Sequence, residues 1–170
     1  RTLFERALRI RFTLRNVNNV VVSSQAVADD FKKFFRLRGK LKMHIFHFVT
    51  VIDDFSNLDI NDIRERYSLP EKYYIISNQF HKHKNHKVLL KALVRLKERG
   101  LNAHMVMTGR LPAASFSPYM RELHSIIDQY NLQPLISFLG VIPRNEQLLI
   151  MKYSQAVIQP SLFEGWSTVI

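Results

Sequence analysis

The chain has 170 residues, of which 46% are apolar and none is cysteine. This composition describes one ordinary globular domain or a piece of a larger protein. The absence of cysteine excludes disulfides and thiolate zinc sites. The 25 basic residues exceed the 14 acidic ones, and the net charge of +11 favours a polyanionic partner such as nucleic acid, an acidic membrane surface or a phosphorylated substrate. Most of this excess lies in residues 1–50, where 11 basic and 3 acidic residues give a net charge of +8.

The two ends of the chain predict that it is a fragment of a longer protein. It begins with Arg1 and stops at Ile170, within an apolar run. No stretch approaches the roughly 20 apolar residues of a membrane span, and no apolar signal-peptide segment follows the first arginines. We therefore expect neither a membrane anchor nor a signal peptide within these residues.

The first third of the chain predicts a strand, a helix and a second strand. The predicted elements are a strand at 20–22, a helix capped by Ser23-Ser24 with Val27, Phe31 and Phe34 on one face and an end near Gly39, and a strand at 43–51. Polar residues follow at 53–59, so a domain boundary is expected near 51–57.

Beyond this boundary, apolar runs alternate with helical patterns. Strands are predicted at 73–77, 103–108, 135–139 and 156–159, and helices at 88–97, around 120–130 and at 145–153. This alternation indicates βαβ units around a parallel sheet, so the predicted fold class is α/β. Ligands of such sheets bind beyond the carboxyl ends of the strands, which makes the loops after residues 77, 108, 139 and 159 the candidate site loops.

The loop after the predicted strand 73–77 is rich in basic side chains. It contains Lys82, Lys84, Lys87, His81, His83 and His86. Lysine ammonium groups at a strand end can bind phosphate oxygens without strict geometry, although a solvated basic loop explains the same composition. A metal site formed by the three histidines is a third interpretation, which the neighbouring lysine charge disfavours.

The segment 159–170 follows the last predicted strand and contains an isolated acidic residue, Glu164. If residues 165–168 begin a helix, its free amides face the ligand crevice and suit a diphosphate. The Glu164 carboxylate can accept hydrogen bonds from two hydroxyls of a sugar or a ribose. Alternatively, it only complements the dipole of that helix. The residues alone leave both interpretations open.

Three segments together resemble the donor-binding half of the retaining glycosyltransferases of family 4. They run from Tyr67 through Asn78-Gln79-Phe80 to His83-Lys84-Asn85-His86, from Phe138 to Pro143, and from Gln159 to Trp166. The resemblance covers roughly residues 60–170 and implies the GT-B architecture, in which two Rossmann-like domains with parallel sheets face each other across a cleft. Residues 1–50 then form the end of the acceptor-side domain, and residues 51–170 form the first part of the nucleotide-sugar-binding domain.

The resemblance also implies roles for individual side chains. It implies that Glu164 binds hydroxyls of the donor sugar. It also implies that Lys84 binds the donor diphosphate and stabilises it as it leaves. The other nucleotide-binding positions that it implies are Gln79, Gly140, Val141, Gly165, Trp166 and Ser167. Many members of the family have arginine where this chain has Gln79, so Lys82 or Arg110 would have to supply that charge. The second acidic residue of the motif would fall near position 172.

The implied activity is the transfer of a hexose from a UDP- or GDP-sugar to a glycan or lipid-linked acceptor with retention of configuration, in envelope or capsule polysaccharide synthesis. The resemblance implies a cytoplasmic enzyme with no metal, no cofactor beyond the donor and no nucleic acid partner. One alternative is a basic nucleic-acid-binding α/β module, which the lack of an aromatic stacking pattern disfavours. A GT-B-like epimerase or phosphorylase is the other.

The basic N-terminal third has two interpretations of its own. The arginines that it contains before residue 16 are Arg1, Arg6, Arg9, Arg11 and Arg15. They would favour contact with an anionic inner membrane face, at about 1 kcal/mol for each residue near the surface. Alternatively, they line a helix that packs against or faces other parts of the protein.

Overall fold

The computed structural model describes residues 3–37, 39–52, 54–113 and 117–165. The described residues form two compact units: the first reaches Val51 and includes Glu164 and Gly165, and the second runs from Ile52 to Phe163. The sequence predicts one domain at 1–50 and a second at 51–170. In the structure, residues 164 and 165 instead belong to the first unit. They group with the first unit because Gly165 packs tightly there, where an added Cβ would lie 3.2 Å from the Ser23 Oγ.

The first unit consists of two helices and two short strands among its described residues. These are α1 (Leu3–Asn16), β1 (Asn19–Val22), α2 (Gln25–Phe34) and β2 (Lys42–Ile45). The two strands are parallel, with Val20 opposite Met43. The predicted cap of α2 is confirmed, because the Val27 amide donates a hydrogen bond of 3.3 Å to the Ser24 Oγ.

One prediction for the first unit needs correction, and another receives its bounds. The strand predicted at 43–51 ends at Ile45, because β1 offers only four residues for pairing and residues 46–51 are exposed. The helix α1 was predicted only in one of the two interpretations of the N-terminal arginines and without bounds; the structure gives it the range Leu3–Asn16. The length of the pairing partner, rather than local apolar content, therefore decides where β2 ends.

The second unit contains a three-stranded parallel sheet in the order β3-β4-β5. Its elements are α3 (Ile60–Tyr67), β3 (Tyr74–Ser77), α4 (His86–Glu98), β4 (Met105–Thr108), α5 (Pro118–Gln129), β5 (Ile136–Gly140) and α6 (Arg144–Lys152), with 3₁₀ turns at Lys82–Lys84 and Gln133–Leu135. The predicted α/β class is confirmed: parallel strands alternate with helices along the chain. Of the α-helices and strands that the structure describes in this unit, α3 alone has no counterpart among the predicted elements.

The strand predicted at 156–159 is not a regular strand. It runs parallel to β3 through an isolated bridge between Ile75 and Val157. The Ile75 amide donates to the Ala156 carbonyl at 3.1 Å, and the Ile158 amide donates to the Ile75 carbonyl at 2.8 Å. These bonds hold the chain beside β3 and bring residues 159–163 to the carboxyl edge of the sheet.

Two apolar clusters fill the second unit, and neighbouring strand residues contribute to opposite clusters because side chains alternate along a strand. One cluster joins Ile76 and Met107 to α4 and α5 through Leu90, Leu93, Met120 and Leu123. The other joins Ile75 and Val106 to α3 and α6 through Ile63, Leu149 and Ile150. Within the described part of the chain, no helix is long and apolar enough to cross a membrane.

Candidate functional site

The loops that follow β3, β4 and β5 are bonded to one another at the carboxyl edge of the sheet. The Asn78 amide donates to the Thr108 carbonyl at 3.2 Å, and the Gly109 amide donates to the Gly140 carbonyl at 2.8 Å. Gly109 has a φ of +132°, and a Cβ at this position would lie 2.3 Å from the Asn78 carbonyl oxygen. Only glycine therefore fits where these loops meet.

A polar cluster fixes the start of α6 against the ends of β3 and β4. The buried hydroxyls of Ser77 and Thr108 lie 2.8 Å apart. The Gln147 side-chain amide donates to both hydroxyls, at 3.2 Å to the Thr108 Oγ1, and its oxygen accepts from the Arg144 guanidinium at 2.6 Å. This cluster was not predicted from the sequence, although a Ser and a Thr that end two apolar strands were a visible signal.

The basic loop forms a tight turn at the end of β3. The Lys84 amide donates to the His81 carbonyl at 2.9 Å, which closes the 3₁₀ turn Lys82–Lys84. Lys84 is half-buried, whereas Lys82 is exposed. Asn85 follows in the left-handed conformation, with a φ of 56°, and α4 begins directly after it. The turn thus presents a lysine at the edge of the sheet where a ligand was expected.

The three histidines of this loop divide into two environments. The rings of His81 and His83 stack at 5.7 Å and are exposed, whereas the buried His86 ring stacks on Phe80 at 4.5 Å. Burial, with the charges of Lys84 and His81, lowers the pKa of His86 to about 4. Neither His86 ring nitrogen has a hydrogen-bond partner among the residues that the structure describes.

The metal interpretation of these histidines is not supported. A shared ion would need all three rings to converge, and His86 is instead enclosed between Phe80 and Tyr119. Across the described ranges, no group of three or more potential metal-ligating side chains comes together. The basic loop is therefore better described as a cationic turn.

The segment 159–162 is bonded directly to the basic loop. The Leu162 amide donates to the His83 carbonyl at 2.8 Å, and the Asn85 side-chain amide donates to the Pro160 carbonyl at 3.2 Å. A further bond of 2.7 Å joins the Asn78 side-chain amide to the Gln159 Oε1. These contacts link residues about 75 to 80 positions apart, so no local sequence pattern could have predicted them.

Four of the predicted nucleotide-binding residues lie at this edge of the second unit. Gln79 is exposed and Lys84 is half-buried. Gly140 has a φ of +66°, and the side chain of Val141 next to it is 75% exposed. The structure therefore brings their loops together, and their contacts with a nucleotide stay predictions.

The remaining predicted residues follow Phe163. Glu164 and Gly165 are half-buried and belong to the first unit. Trp166, Ser167 and the helix predicted at 165–168 lie outside the described residues, apart from Gly165 itself.

Residues 59–170 match the family model of the glycosyl transferases group 1. Over 92 residues, the chain is 35% identical to EpsF of Bacillus subtilis (strain 168), which is assigned as a glycosyltransferase. This similarity covers 54% of the chain and 22% of EpsF. The chain therefore spans about a fifth of that relative.

Two solved structures share the fold. HepE (Alr3699) of Anabaena, in complex with UDP and glucose, has a TM-score of 0.76 at 19% identity, covering 100% of this chain and 45% of HepE. Sucrose-phosphate synthase (tll1590) of Thermosynechococcus elongatus has a TM-score of 0.75 at 17% identity, covering 98% of this chain and 40% of the synthase. The α/β fold, with its parallel sheets and flanking helices, resembles that of GT-B glycosyltransferases.

Proposed function

The chain belongs to the glycosyl transferases group 1, and from this premise we propose that it serves the transfer of a hexose from a nucleoside diphosphate sugar to a glycan or lipid-linked acceptor. The proposed donor is a UDP- or GDP-hexose, the configuration at the transferred carbon is retained, and the product enters envelope or capsule polysaccharide. The HepE structure with UDP-glucose supports testing a uridine nucleotide first.

The observation that carries this proposal is the bond between the cationic turn and the segment before Glu164. A nucleotide-sugar site needs a cation for the diphosphate and an acceptor for the sugar hydroxyls. Lys84 supplies the first, and the neighbouring His83 carbonyl holds Leu162, two residues before Glu164. The turn that carries the proposed cation is thus hydrogen-bonded to residues 160–162, which precede the proposed acceptor in the sequence.

The proposed chemistry needs charge compensation at one place. When the bond between the sugar carbon and the phosphate oxygen breaks, the electron pair stays on the diphosphate and its negative charge grows. A fixed lysine ammonium stabilises this charge because it needs no reorganisation during the reaction. Lys84 has this role in the proposal, which involves no metal and no cofactor other than the donor.

The proposal is tested first at Glu164, in the full-length protein. We expect Glu164→Ala to lower the transfer rate from UDP-glucose or the matching donor by at least about 100-fold, because the sugar loses a charged hydrogen-bond acceptor in the transition state. Glu164→Gln, which keeps one acceptor oxygen, should lie between this variant and the wild type. Transfer at the wild-type rate by Glu164→Ala would refute the sugar-binding role.

A second test concerns the diphosphate. We expect Lys84→Ala to weaken UDP binding about 10-fold or more by calorimetry, because a charge-assisted contact is lost. Lys72→Ala is the matched control, since Lys72 is exposed and precedes β3 at the opposite edge of the sheet. Equal UDP affinities of the two variants would show that Lys84 does not contact the diphosphate.

We further propose that α1 contacts an anionic membrane surface at the cytoplasmic face, where lipid-linked acceptors would be met. This helix carries Arg6, Arg9, Arg11 and Arg15 together with exposed Leu3, Phe4 and Phe12. A basic amphipathic helix of this kind binds anionic lipids through charge and buried apolar area together. Co-sedimentation with phosphatidylglycerol vesicles, compared with phosphatidylcholine vesicles, tests the contact.

A further inference from the structure

Asn85 begins α4 in a different way from the capping residues of three other helices. A cap side chain ordinarily accepts a hydrogen bond from an amide in the first turn of its own helix. Three helices of this chain follow that rule, with Ser24, Asp59 and Ser117 as acceptors. Asn85 makes no such bond to α4. Its side chain is thereby available for a contact elsewhere.

That contact joins the basic turn to the segment that precedes Glu164. The Asn85 Nδ2 donates to the Pro160 carbonyl at 3.2 Å, and the His83 carbonyl accepts from the Leu162 amide at 2.8 Å. The two bonds therefore leave from the residues on either side of Lys84. Its backbone is held on both sides against residues 160–162.

The backbone around Asn85 also explains why asparagine suits this position. Its φ of 56° and ψ of 37° are left-handed, a conformation that asparagine adopts more readily than most residues other than glycine. Glycine would keep the backbone but would lose the amide donor. The hydrogen bond to Pro160 and the left-handed backbone are therefore separate properties of Asn85, and each can be tested by its own substitution.

We propose that Asn85 is a positioning residue that fixes the turn carrying Lys84 against residues 160–162, and so holds Lys84 where it contacts the diphosphate. The proposal rests on the function proposed above. The lysine must stay in place while charge grows on the leaving diphosphate, and a displacement of about 1 Å of such a group can cost about 100-fold in rate. Asn85 itself touches neither the sugar nor the diphosphate in this proposal.

The test compares turnover with nucleotide binding in the full-length protein. We expect Asn85→Gly, which keeps the left-handed backbone, to lower kcat about 10-fold while KM for the sugar nucleotide and Kd for UDP change less than about threefold. Binding of UDP tolerates a displaced lysine that still reaches the diphosphate, whereas turnover requires the lysine at a fixed position as the charge of the leaving group grows. Asn85→Ala is the second variant, in case the glycine substitution loosens the turn enough to prevent folding.

Asn131 provides the matched control. It lies after α5 with a φ of 49°, and its exposed side chain makes no hydrogen bond within the part of the chain that the structure describes. Asn131→Gly and Asn131→Ala therefore repeat the same backbone changes without removing a bond between segments. We expect both to keep kcat and KM within about twofold of the wild type.

The outcomes separate this inference from the proposed function. Absence of transfer by the wild-type protein with UDP- and GDP-hexoses would reject the proposed function and this inference with it. Wild-type transfer, with a kcat of the Asn85 variants equal to that of the Asn131 variants, would reject the inference alone. A parallel loss of kcat and UDP affinity would also overturn it, because Asn85 would then hold only the turn itself.

Discussion

The two units each contain a pair of four-residue parallel strands, and the pairs differ in what covers them. All four residues of β4 are buried, and so are three of the four in β3. In the first unit only Val22 of β1 is buried, and β2 has no buried residue. Strands of equal length are therefore buried in the second unit and largely unburied in the first.

Helices on both faces explain the difference. The sheet β3-β4-β5 packs on α4 and α5 from one side and on α3 and α6 from the other. The described residues of the first unit leave large apolar side chains exposed, among them Leu3, Phe4, Phe12, Val21 and Phe34. The loops that carry Gln79, Lys84 and Val141 follow the strands of this buried sheet.

The largest effect that we expect from this contrast is on the free energy of unfolding, when one isoleucine in each unit is replaced by alanine. Ile75 in β3 is 0% exposed and Ile45 in β2 is 42% exposed. We expect Ile75→Ala to lower the free energy of unfolding of the second unit by about 4 kcal/mol, because buried methyl groups are lost and a cavity remains. Ile45→Ala should cost the first unit less than about 1 kcal/mol.

Amide hydrogen exchange measures the two isoleucine variants separately, because strand amides report the opening of their own unit. Exchange of the β4 amides measures the opening of the second unit, and exchange of the β1 amides measures the opening of the first. Equal costs in the two units would contradict the difference in burial.

The same contrast explains which elements could be predicted from the sequence. The strands β3, β4 and β5 were predicted to within two residues at either end, because the largely buried β3 and β4 and the half-buried β5 all lie in short, mostly apolar runs. The strand predicted at 43–51 extended too far, since an apolar run continues past Ile45 without a pairing partner. The short helix α3 was missed because only three of its eight residues, Ile60, Ile63 and Tyr67, are apolar or aromatic.

The candidate site was predictable only in part. A basic loop after a strand is visible in the sequence, and its place at the carboxyl edge follows from the α/β class. The bonds from Asn78 to Gln159 and from Asn85 to Pro160 are not visible, because they join distant segments. Close approach at Gly109 likewise depends on the position of Asn78 in space rather than on the neighbours of Gly109 in the sequence.

Histidine titration extends the comparison to pH. The pKa of buried His86 is lowered from 6.5 to about 4, so between these values the unfolded chain binds a proton that the folded chain does not. Stability therefore falls as the pH falls through this range. We expect the second unit to lose about 3 kcal/mol between pH 6.5 and pH 4 from this group.

The test is the slope of unfolding free energy against pH. His86→Phe, which keeps an aromatic ring next to Phe80, should flatten the slope of the second unit. His44→Phe is the control in the first unit, where the exposed ring makes a bond of 2.9 Å to Asn19. An unchanged slope in His86→Phe would show that another group causes the acid sensitivity.

The smallest effect that we expect on stability concerns two carboxylates, one in each unit. Glu146 in α6 is 7% exposed, and its two oxygens accept hydrogen bonds from the Arg66 guanidinium and, at 2.5 Å, from the Tyr67 hydroxyl. Burial and this carboxylate raise the pKa of Tyr67. Asp29 in α2 instead pairs with Lys32 at 3.3 Å, and both side chains are about 60% exposed.

We expect Glu146→Ala to destabilise the second unit by about 2 kcal/mol, because the Tyr67 hydroxyl loses its acceptor and α6 loses its polar link to α3. Arg66 is 57% exposed and can be hydrated instead, which keeps the cost below that of an isolated buried charge. Asp29→Ala should change the first unit by less than about 0.5 kcal/mol, since an exposed pair is screened by solvent. Urea unfolding with amide exchange measures both changes. Similar values for the two variants would mean that the contrast between the units stops at their apolar cores and does not extend to their ion pairs.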